Sequence, residues 1–476
     1  MAELKEFTVA IELGSSKITG IAGQKKPDGS ISVLAMVRED SSSFIRKGVV
    51  YNIDKTAQCL SNIVKKLEAQ LKTRISQVFV GIGGQSIRSV RNTIVRDLAP
   101  DTIITQEMVT NIMDDNRATE YADQKILDVI DLEYRVDQNL QVDPVGIRAS
   151  RLEGNFLNIL MRKSFFQNLS KSFENAGINV FEMYVAPLEL ANVVLTETEK
   201  RSGCTLVDLG ADTTTVAVFS KNKLRHLAVI PLGSGNITKD IASLQMEESD
   251  AEAMKLKYGS AYTDNNDIDD TLKYSIDQER QVESRRFIEI IEGRLEEIIV
   301  NVREQIPTDF YDKMLGGIIL TGGGSNMKNM ENAFRFYTRI DKIRTAKFVT
   351  TTINSGDPAI KKHDGTVNTA LGLLQRGDMN CAGGALNTNR DLFDNNDERP
   401  VNDSGTPTGT TKSGVLAADK AQQEKERLEK ERQEKEREAA EAAAREAERI
   451  RKENSIWNRI SRRMKHIGEI MVKDDE

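Results

Sequence analysis

One pattern occurs twice in this chain: an apolar run closing on an acidic residue, a glycine turn rich in hydroxyls, and a second apolar run. The first copy is Ile11-Glu12-Leu13-Gly14-Ser15-Ser16-Lys17 and the second is Val207-Asp208-Leu209-Gly210-Ala211-Asp212-Thr213-Thr214. Either copy alone reads equally well as an ordinary hairpin turn. Two copies, each opening a long stretch of alternating strand-like and helix-like runs, imply a duplicated α/β fold that sets the two turns face to face.

In the first pass, apolar runs at 7–13, 18–23 and 31–38 precede helical periodicity at 56–71 and a further run at 77–82, which ends among Gly81, Gly83 and Gly84. The second pass has runs at 205–209, 214–219 and 224–231 before its helical segments. A chain of 476 residues is long enough for two or three domains. Its net charge of −7, with no compact basic and aromatic-rich patch in the body, argues against nucleic acid as a partner. Cys59, Cys204 and Cys381 lie too far apart in sequence to suggest a disulfide framework or a spaced metal site, so reduced thiols are expected. Residues 1–8 lack a basic segment followed by an apolar one, and 9–13 is too short and too polar to be a secretory leader. No run of eighteen apolar residues occurs, so membrane contact is expected to be peripheral.

The turns have a chemistry that suits phosphate. Gly14 allows a tight turn and close backbone approach, Ser15 and Ser16 supply N–H and hydroxyl donors, and Lys17 supplies positive charge. In the second copy Asp208, at a strand end, is placed to hold a metal-bound water, while the Gly210 turn and Thr213 or Thr214 offer donors to terminal phosphates. A third glycine run, Gly322, Gly323 and Gly324, follows the apolar strand that ends at Thr321 and precedes a helical segment, which lets backbone lie flat against a planar or sugar group.

Beyond Gly377 the composition changes. Residues 378–416, rich in Asn, Asp, Thr, Gly and Ser, read as a flexible linker. Residues 417–454 are almost entirely Lys, Glu, Arg, Gln and Ala; Leu428 stands alone, so no coiled-coil seam exists. Opposite charges three and four apart support a solvated helix, roughly 57 Å long if fully formed, although a charged disordered tail would serve equally as a spacer. Residues 455–473 then have amphipathic periodicity. Ile456, Trp457, Ile460, Met464, Ile467, Ile470 and Met471 fall within an arc of about 140° at helical spacing, with Arg459, Arg462, Lys465, His466 and Lys473 opposite and Arg463 at the margin. Such a helix packs either on protein or on an anionic membrane surface; the long polar tether and the interfacial Trp457 favour the membrane.

Two phosphate-type hairpins and a Thr-Gly-Gly-Gly loop resemble the nucleotide-binding pattern of the actin, Hsp70 and sugar-kinase superfamily. Within it the chain most resembles the FtsA family of bacterial cell-division proteins, through Gly14 to Ile18, the run from Phe79 to Gly84 with Ser86-Ile87-Arg88-Ser89, and Ala251-Glu252 through Lys255, Lys257, Tyr258 and Gly259. Asp208 to Gly210, Thr321 to Gly324 and the C-terminal helix extend the likeness.

The resemblance implies an actin-like two-lobed fold with ATP and Mg2+ in the cleft. The first lobe would comprise 1–84 and 162–200, an inserted FtsA-type subdomain 85–161, and the second lobe 201–377. Gly14, Ser15, Ser16 and Lys17 would form the first phosphate loop, and Asp208, Gly210 and Thr213 the second. Glu252 and Lys255 would face ribose and adenine, Gly322 to Gly324 the adenosine, and Glu12 with Asp208 would hold Mg2+ through water. Implied partners are the tail of the tubulin-like protein FtsZ, other division proteins, further copies of the chain and the cytoplasmic face of the inner membrane at the division site.

Glu12 departs from the superfamily's usual aspartate and pushes its carboxylate about one bond further into the cleft, a change that leaves ATP binding intact but bears against efficient hydrolysis and is compatible at most with slow ATPase activity. No catalytic base is assigned. Other superfamily functions, a sugar kinase or an Hsp70-like chaperone ATPase, leave the spacer and terminal helix unexplained.

Overall fold

The computed structural model describes residues 6–383; the linker beyond 383, the charged spacer at 417–454 and the amphipathic segment at 455–473 lie outside the described residues. The chain starts as an antiparallel meander, β1 (Thr8–Leu13), β2 (Lys17–Lys25) and β3 (Ile31–Asp40). β1 and β2 are buried along nearly their whole length, which is why they read as near-continuous apolar runs and not as alternating ones. A short ribbon, β4 (Ile45–Arg46) with β5 (Val49–Val50), leads into α1 (Ile53–Leu71), capped by Asn52, whose side chain accepts from Lys55 N–H. Leu60, Ile63, Leu67 and Leu71 form its buried stripe. β6 (Val78–Ile82) then runs parallel to β1.

An inserted unit follows: β7 (Arg88–Ile103), α2 (Gln106–Arg117), β8 (Gln124–Val136), β9 (Asn139–Gln141) and β10 (Arg148–Arg162). β10 lies between β7 and β8, antiparallel to both, over a core that includes Ile104, Ile112, Leu152 and Phe156. Asn116 and Asn158, both fully buried, exchange amide hydrogen bonds of 2.7 and 3.1 Å, which satisfies two side chains that would be costly to bury unpaired.

The chain then returns through α3 (Lys163–Asn175), β11 (Val180–Val185), α4 (Ala186–Val194) and α5 (Glu197–Ser202). The second pass repeats the opening meander as β12 (Cys204–Leu209), β13 (Thr214–Ser220) and β14 (Lys223–Ile230), followed by α6 (Ser234–Ala242) and α7 (Glu248–Tyr258). A small ribbon, β15 (Lys273–Ser275) and β16 (Gln281–Glu283), precedes α8 (Ser284–Glu304), α9 (Thr308–Tyr311), β17 (Gly317–Thr321) and α10 (Met330–Thr338). β18 (Ile343–Thr345), β19 (Ile353–Asn354), α11 (Pro358–Lys361) and α12 (Asn368–Arg376) complete the fold.

Two sheets result, ordered β11-β6-β1-β2-β3-β19 and β18-β17-β12-β13-β14-β7-β10-β8-β9. The insert leaves and re-enters the chain beside the first sheet, yet its strands extend the second. Arg88 pairs with Ala228, Ser89 Oγ accepts from Leu227 N–H at 2.8 Å, and Lys223 and the buried Arg225 reach Asp131 and Glu133 at 3.1 and 3.4 Å. Packing also continues past Gly377: Cys381 N–H donates to Phe7 O and Cys381 O accepts from Ser76 N–H, each at 2.7 Å. Asn380 and Cys381 are thus buried, and the body extends into the stretch that composition assigns to the linker. The three cysteines are free and buried, and burial pushes their thiols up to about 11 or 12, so none is a reactive thiolate at neutral pH.

One turn ties three parts of the molecule together. Lys47 and Gly48, both at positive φ, sit between β4 and β5. Gly48 N–H donates to Ser15 Oγ at 2.8 Å, Lys47 O accepts from Gln85 N–H at 2.8 Å where the insert begins, and Lys47 N–H donates to Asp212 Oδ2 at 3.2 Å across to the second hairpin. Gly84 (φ 97°) presses against this turn so closely that a Cβ would lie 2.3 Å from Gly48 O. Gly84→Ala should therefore destabilise the protein by about 1–3 kcal/mol, read as a lowered melting temperature. An unchanged melt would show that the turn yields freely.

Candidate functional site

The two hairpins close in the same way. Gly14 N–H donates to Lys17 O at 3.0 Å, and Gly210 N–H donates to Thr213 O at 2.9 Å. Each turn is buttressed from behind: Ser41 donates to Gly14 O (2.7 Å) and Ser16 O (3.1 Å), while the N-terminus of α6 donates from Ser234 N–H to Gly210 O (2.9 Å) and from Gly235 N–H to Ala211 O (2.7 Å). Turns rigidified in this manner present a fixed backbone to the space that both of them line.

That space is a cavity of about 680 Å³, within the range that encloses a small organic ligand. Glu12, Gly14, Ser15, Ser16, Lys17, Asp208, Gly210, Thr213, Glu252, Lys255, Gly322, Gly323 and Gly324 all line it. Thr214, offered by sequence as an alternative donor, is buried and donates instead to Leu232 O at 2.9 Å, so Thr213 is the threonine that faces the cavity. Lys255 lines the wall, but its ammonium is directed at Ser234 O (3.1 Å), Thr238 Oγ1 (2.8 Å) and Glu252 Oε2 (2.6 Å). Glu252 also accepts from the Thr238 hydroxyl. In this arrangement Lys255 braces α6 against α7 and so holds the support of the second hairpin.

The triple-glycine loop is built for close approach. Gly322 has φ 83°, and a Cβ there would lie 2.3 Å from Asp208 Oδ1 and 2.7 Å from Leu209 O. Any other residue would displace the carboxylate. Gly323 by contrast meets only Thr366 Cγ2, at 3.4 Å, which leaves backbone open for a ligand face.

Sequence reasoning missed several cavity residues. Ser234 and Gly235 carry a weak signal in the Gly233-Ser234-Gly235 run before α6; Lys328 and Arg38 carry none, because their place on the wall depends on strand register and on folding of distant segments.

Glu12 and Asp208 share the cavity floor, part-open to the cavity and enclosed by protein elsewhere. Burial, then the neighbouring Asp208 charge, pushes the Glu12 carboxyl up to about 8 against the opposing pull of Arg38; burial pushes Asp208 up to about 6. Two carboxylates with no third metal-ligating side chain among the described residues suit Mg2+, which keeps several waters and shares its shell with phosphate oxygens, better than a metal that needs a full protein cage.

Because both carboxyls retain protons in the fold that they lose in the unfolded chain, stability is full below their ordinary values and declines as pH rises to about 8. Metal-free and nucleotide-free protein should thus melt at progressively lower temperature from about pH 5 to pH 8, and Glu12→Gln should flatten that slope. A wild-type slope retained in Glu12→Gln would show that another group is responsible.

Comparison with known families shows where the chain belongs. The profile described as "Cell division protein FtsA" matches residues 205–360, and that described as "SHS2 domain inserted in FTSA" matches 84–160. The chain is 31% identical over 342 residues to the cell division protein FtsA of Porphyromonas gingivalis, covering 70% of this chain and 71% of that one. It is 30% identical over 372 residues to its counterpart in Neisseria meningitidis, covering 74% and 89%. Among solved structures, a chain of a PilM-PilN type IV pilus biogenesis complex superposes with a TM-score of 0.53 at 15% identity, covering 78% of this chain and 98% of that one, a likeness of fold alone. The fold is actin-like with an SHS2-type insert, and the chain belongs to the FtsA family of cell-division proteins.

Proposed function

We propose that this protein binds ATP with Mg2+, self-associates, and tethers the FtsZ ring to the cytoplasmic face of the inner membrane at the division site. The observation that carries the nucleotide reading is convergence: two glycine hairpins and a triple-glycine loop, far apart in sequence, meet around one cavity whose floor holds two carboxyl groups. Gly14, Ser15, Ser16 and Lys17 on one side and Gly210 and Thr213 on the other would donate to phosphates, Glu12 and Asp208 would hold Mg2+ through water, and Gly322 to Gly324 would lie along adenosine beside Glu252 and Lys255. Magnesium, when bound, would neutralise phosphate charge between the lobes.

The lobes in this reading comprise 1–84 with 162–200 and 201–377, and 85–161 form the insert, available to other division proteins. The FtsZ tail is the cargo. The foot is 455–473, outside the described residues, with Ile456, Trp457, Ile460, Met464, Ile467, Ile470 and Met471 in the headgroup boundary and Arg459, Arg462, Arg463 and Lys465 toward anionic lipid. Among the described residues no helix is long and apolar enough to cross a membrane. Each large apolar side chain contributes about 1.5–3 kcal/mol when fully buried and less at an interface, so one foot binds reversibly. Self-association of actin-like bodies multiplies feet on one surface and raises avidity without any new contact.

Full-length protein should co-sediment with anionic vesicles, more so with Mg2+ and ATP, and deletion of residues 455–476 should abolish this while leaving nucleotide binding intact. Undiminished sedimentation after deletion would remove the membrane-foot assignment. Asp208→Asn should weaken ATP binding by about tenfold or more, measured calorimetrically.

A further inference from the structure

The strands behind the two hairpins repeat one another in register, but the row that crosses them ends differently in the two sheets. In the first sheet, register places Glu12 opposite Thr19 and Thr19 opposite Arg38, so the three stand in a row across β1, β2 and β3. In the second, Asp208 stands opposite Thr215 and Thr215 opposite Val229. Residues directly opposed across neighbouring strands share a face, and each strand spacing is about 4.8 Å, so Arg38 rises roughly two spacings from the Glu12 backbone with only the small Thr19 between. Glu12, Thr19 and Arg38 all line the cavity; Val229 does not. The duplicated scaffold therefore has a cation in one half where the other has an apolar side chain.

Arg38 is also left incomplete. Its Nε is buried and has no hydrogen-bond partner among the described residues. That Nε is closed to solvent, so what a ligand in the cavity can meet is the outer edge of the guanidinium, for which no hydrogen bond or ion pair is found among the described residues; a planar fork of this kind at a cavity wall suits an anionic acceptor that arrives with the ligand. Burial and Asp208 push the Glu12 carboxyl up, and the charge of Arg38 pulls it down by less.

We propose that Arg38 is a binding residue that distinguishes a nucleoside triphosphate from a diphosphate by donating from its guanidinium fork to the terminal phosphate. This rests on the nucleotide reading of the cavity and deepens it. A diphosphate lacks the group that would satisfy the fork, so the triphosphate gains a charge-assisted contact that the diphosphate does not. Val229 offers the second sheet no counterpart, so the contact made by Arg38 belongs to the first lobe.

The test compares wild type, Arg38→Gln and Arg38→Lys in the full-length protein, with Kd for ATP and for ADP measured by calorimetry in excess Mg2+. Arg38→Gln should weaken ATP binding by about tenfold to a hundredfold and change ADP binding by less than about threefold. Arg38→Lys, a point charge without the fork, should fall between. The same pair of Kd values in Glu12→Gln and in Glu12→Gln with Arg38→Gln separates phosphate recognition from service as a counterion: the loss of ATP preference should persist when Glu12 carries no charge. Parallel weakening of both nucleotides, no change, or disappearance of the effect in the Glu12→Gln background would overturn the proposal. Thermal melts of each variant identify a folding defect, and Arg38→Lys then decides the outcome. Wild-type protein that binds neither nucleotide would remove the nucleotide reading itself, a failure distinct from loss of discrimination.

Discussion

Two carboxyl groups held near each other in poorly hydrated surroundings govern the middle of this molecule. Burial raises the proton affinity of both, and the Asp208 charge raises that of Glu12 further, so ionising the pair without a cation is costly. The fold sustains that cost because each carboxylate stands at the end of a central strand whose neighbours bury it on both sides, and because each following turn is closed by the same glycine-to-backbone hydrogen bond. Gly322 completes the enclosure by allowing backbone within van der Waals reach of Asp208. A cation and phosphate oxygens would lower that cost, so a site of this kind is stabilised most by the ligand it is shaped to receive.

Mechanical connection spreads outward from the same place. The Lys47–Gly48 turn touches Ser15 in the first hairpin, Asp212 in the second and Gln85 at the start of the insert. The insert is covalently rooted beside the first sheet and hydrogen-bonded to the edge of the second through Arg88 and Ser89. A change in the separation of the hairpins thus has two routes to the insert, one through the turn and one through β14.

Much of the cavity was legible in the amino-acid order because its parts are local. A strand, an acid, a glycine turn and a second strand occupy fewer than twenty residues in each copy, and the triple glycine follows its strand directly, so backbone requirements leave visible marks. The wall residues are different. Arg38 lines the cavity only because β3 pairs with β2 in one register, and a slip of one residue would have turned it to the opposite face. Lys255 reads as a nucleotide-facing cation from its helix, yet the packing of α6 on α7 commits its ammonium to Ser234, Thr238 and Glu252.

By itself the sequence determined that this is a duplicated α/β chain with two phosphate-type turns, a glycine-rich loop, a polar tether and an amphipathic end, since periodicity, glycine placement and composition are local properties. Tertiary structure alone decided that the insert joins the second sheet, that residues through Cys381 belong to the packed body, and that Arg38 lines the cavity while Val229, at the corresponding register position of the second sheet, does not. Those outcomes depend on which strand edges remain unpaired and which registers bury most apolar surface. Both are settled only when segments hundreds of residues apart compete for the same neighbours.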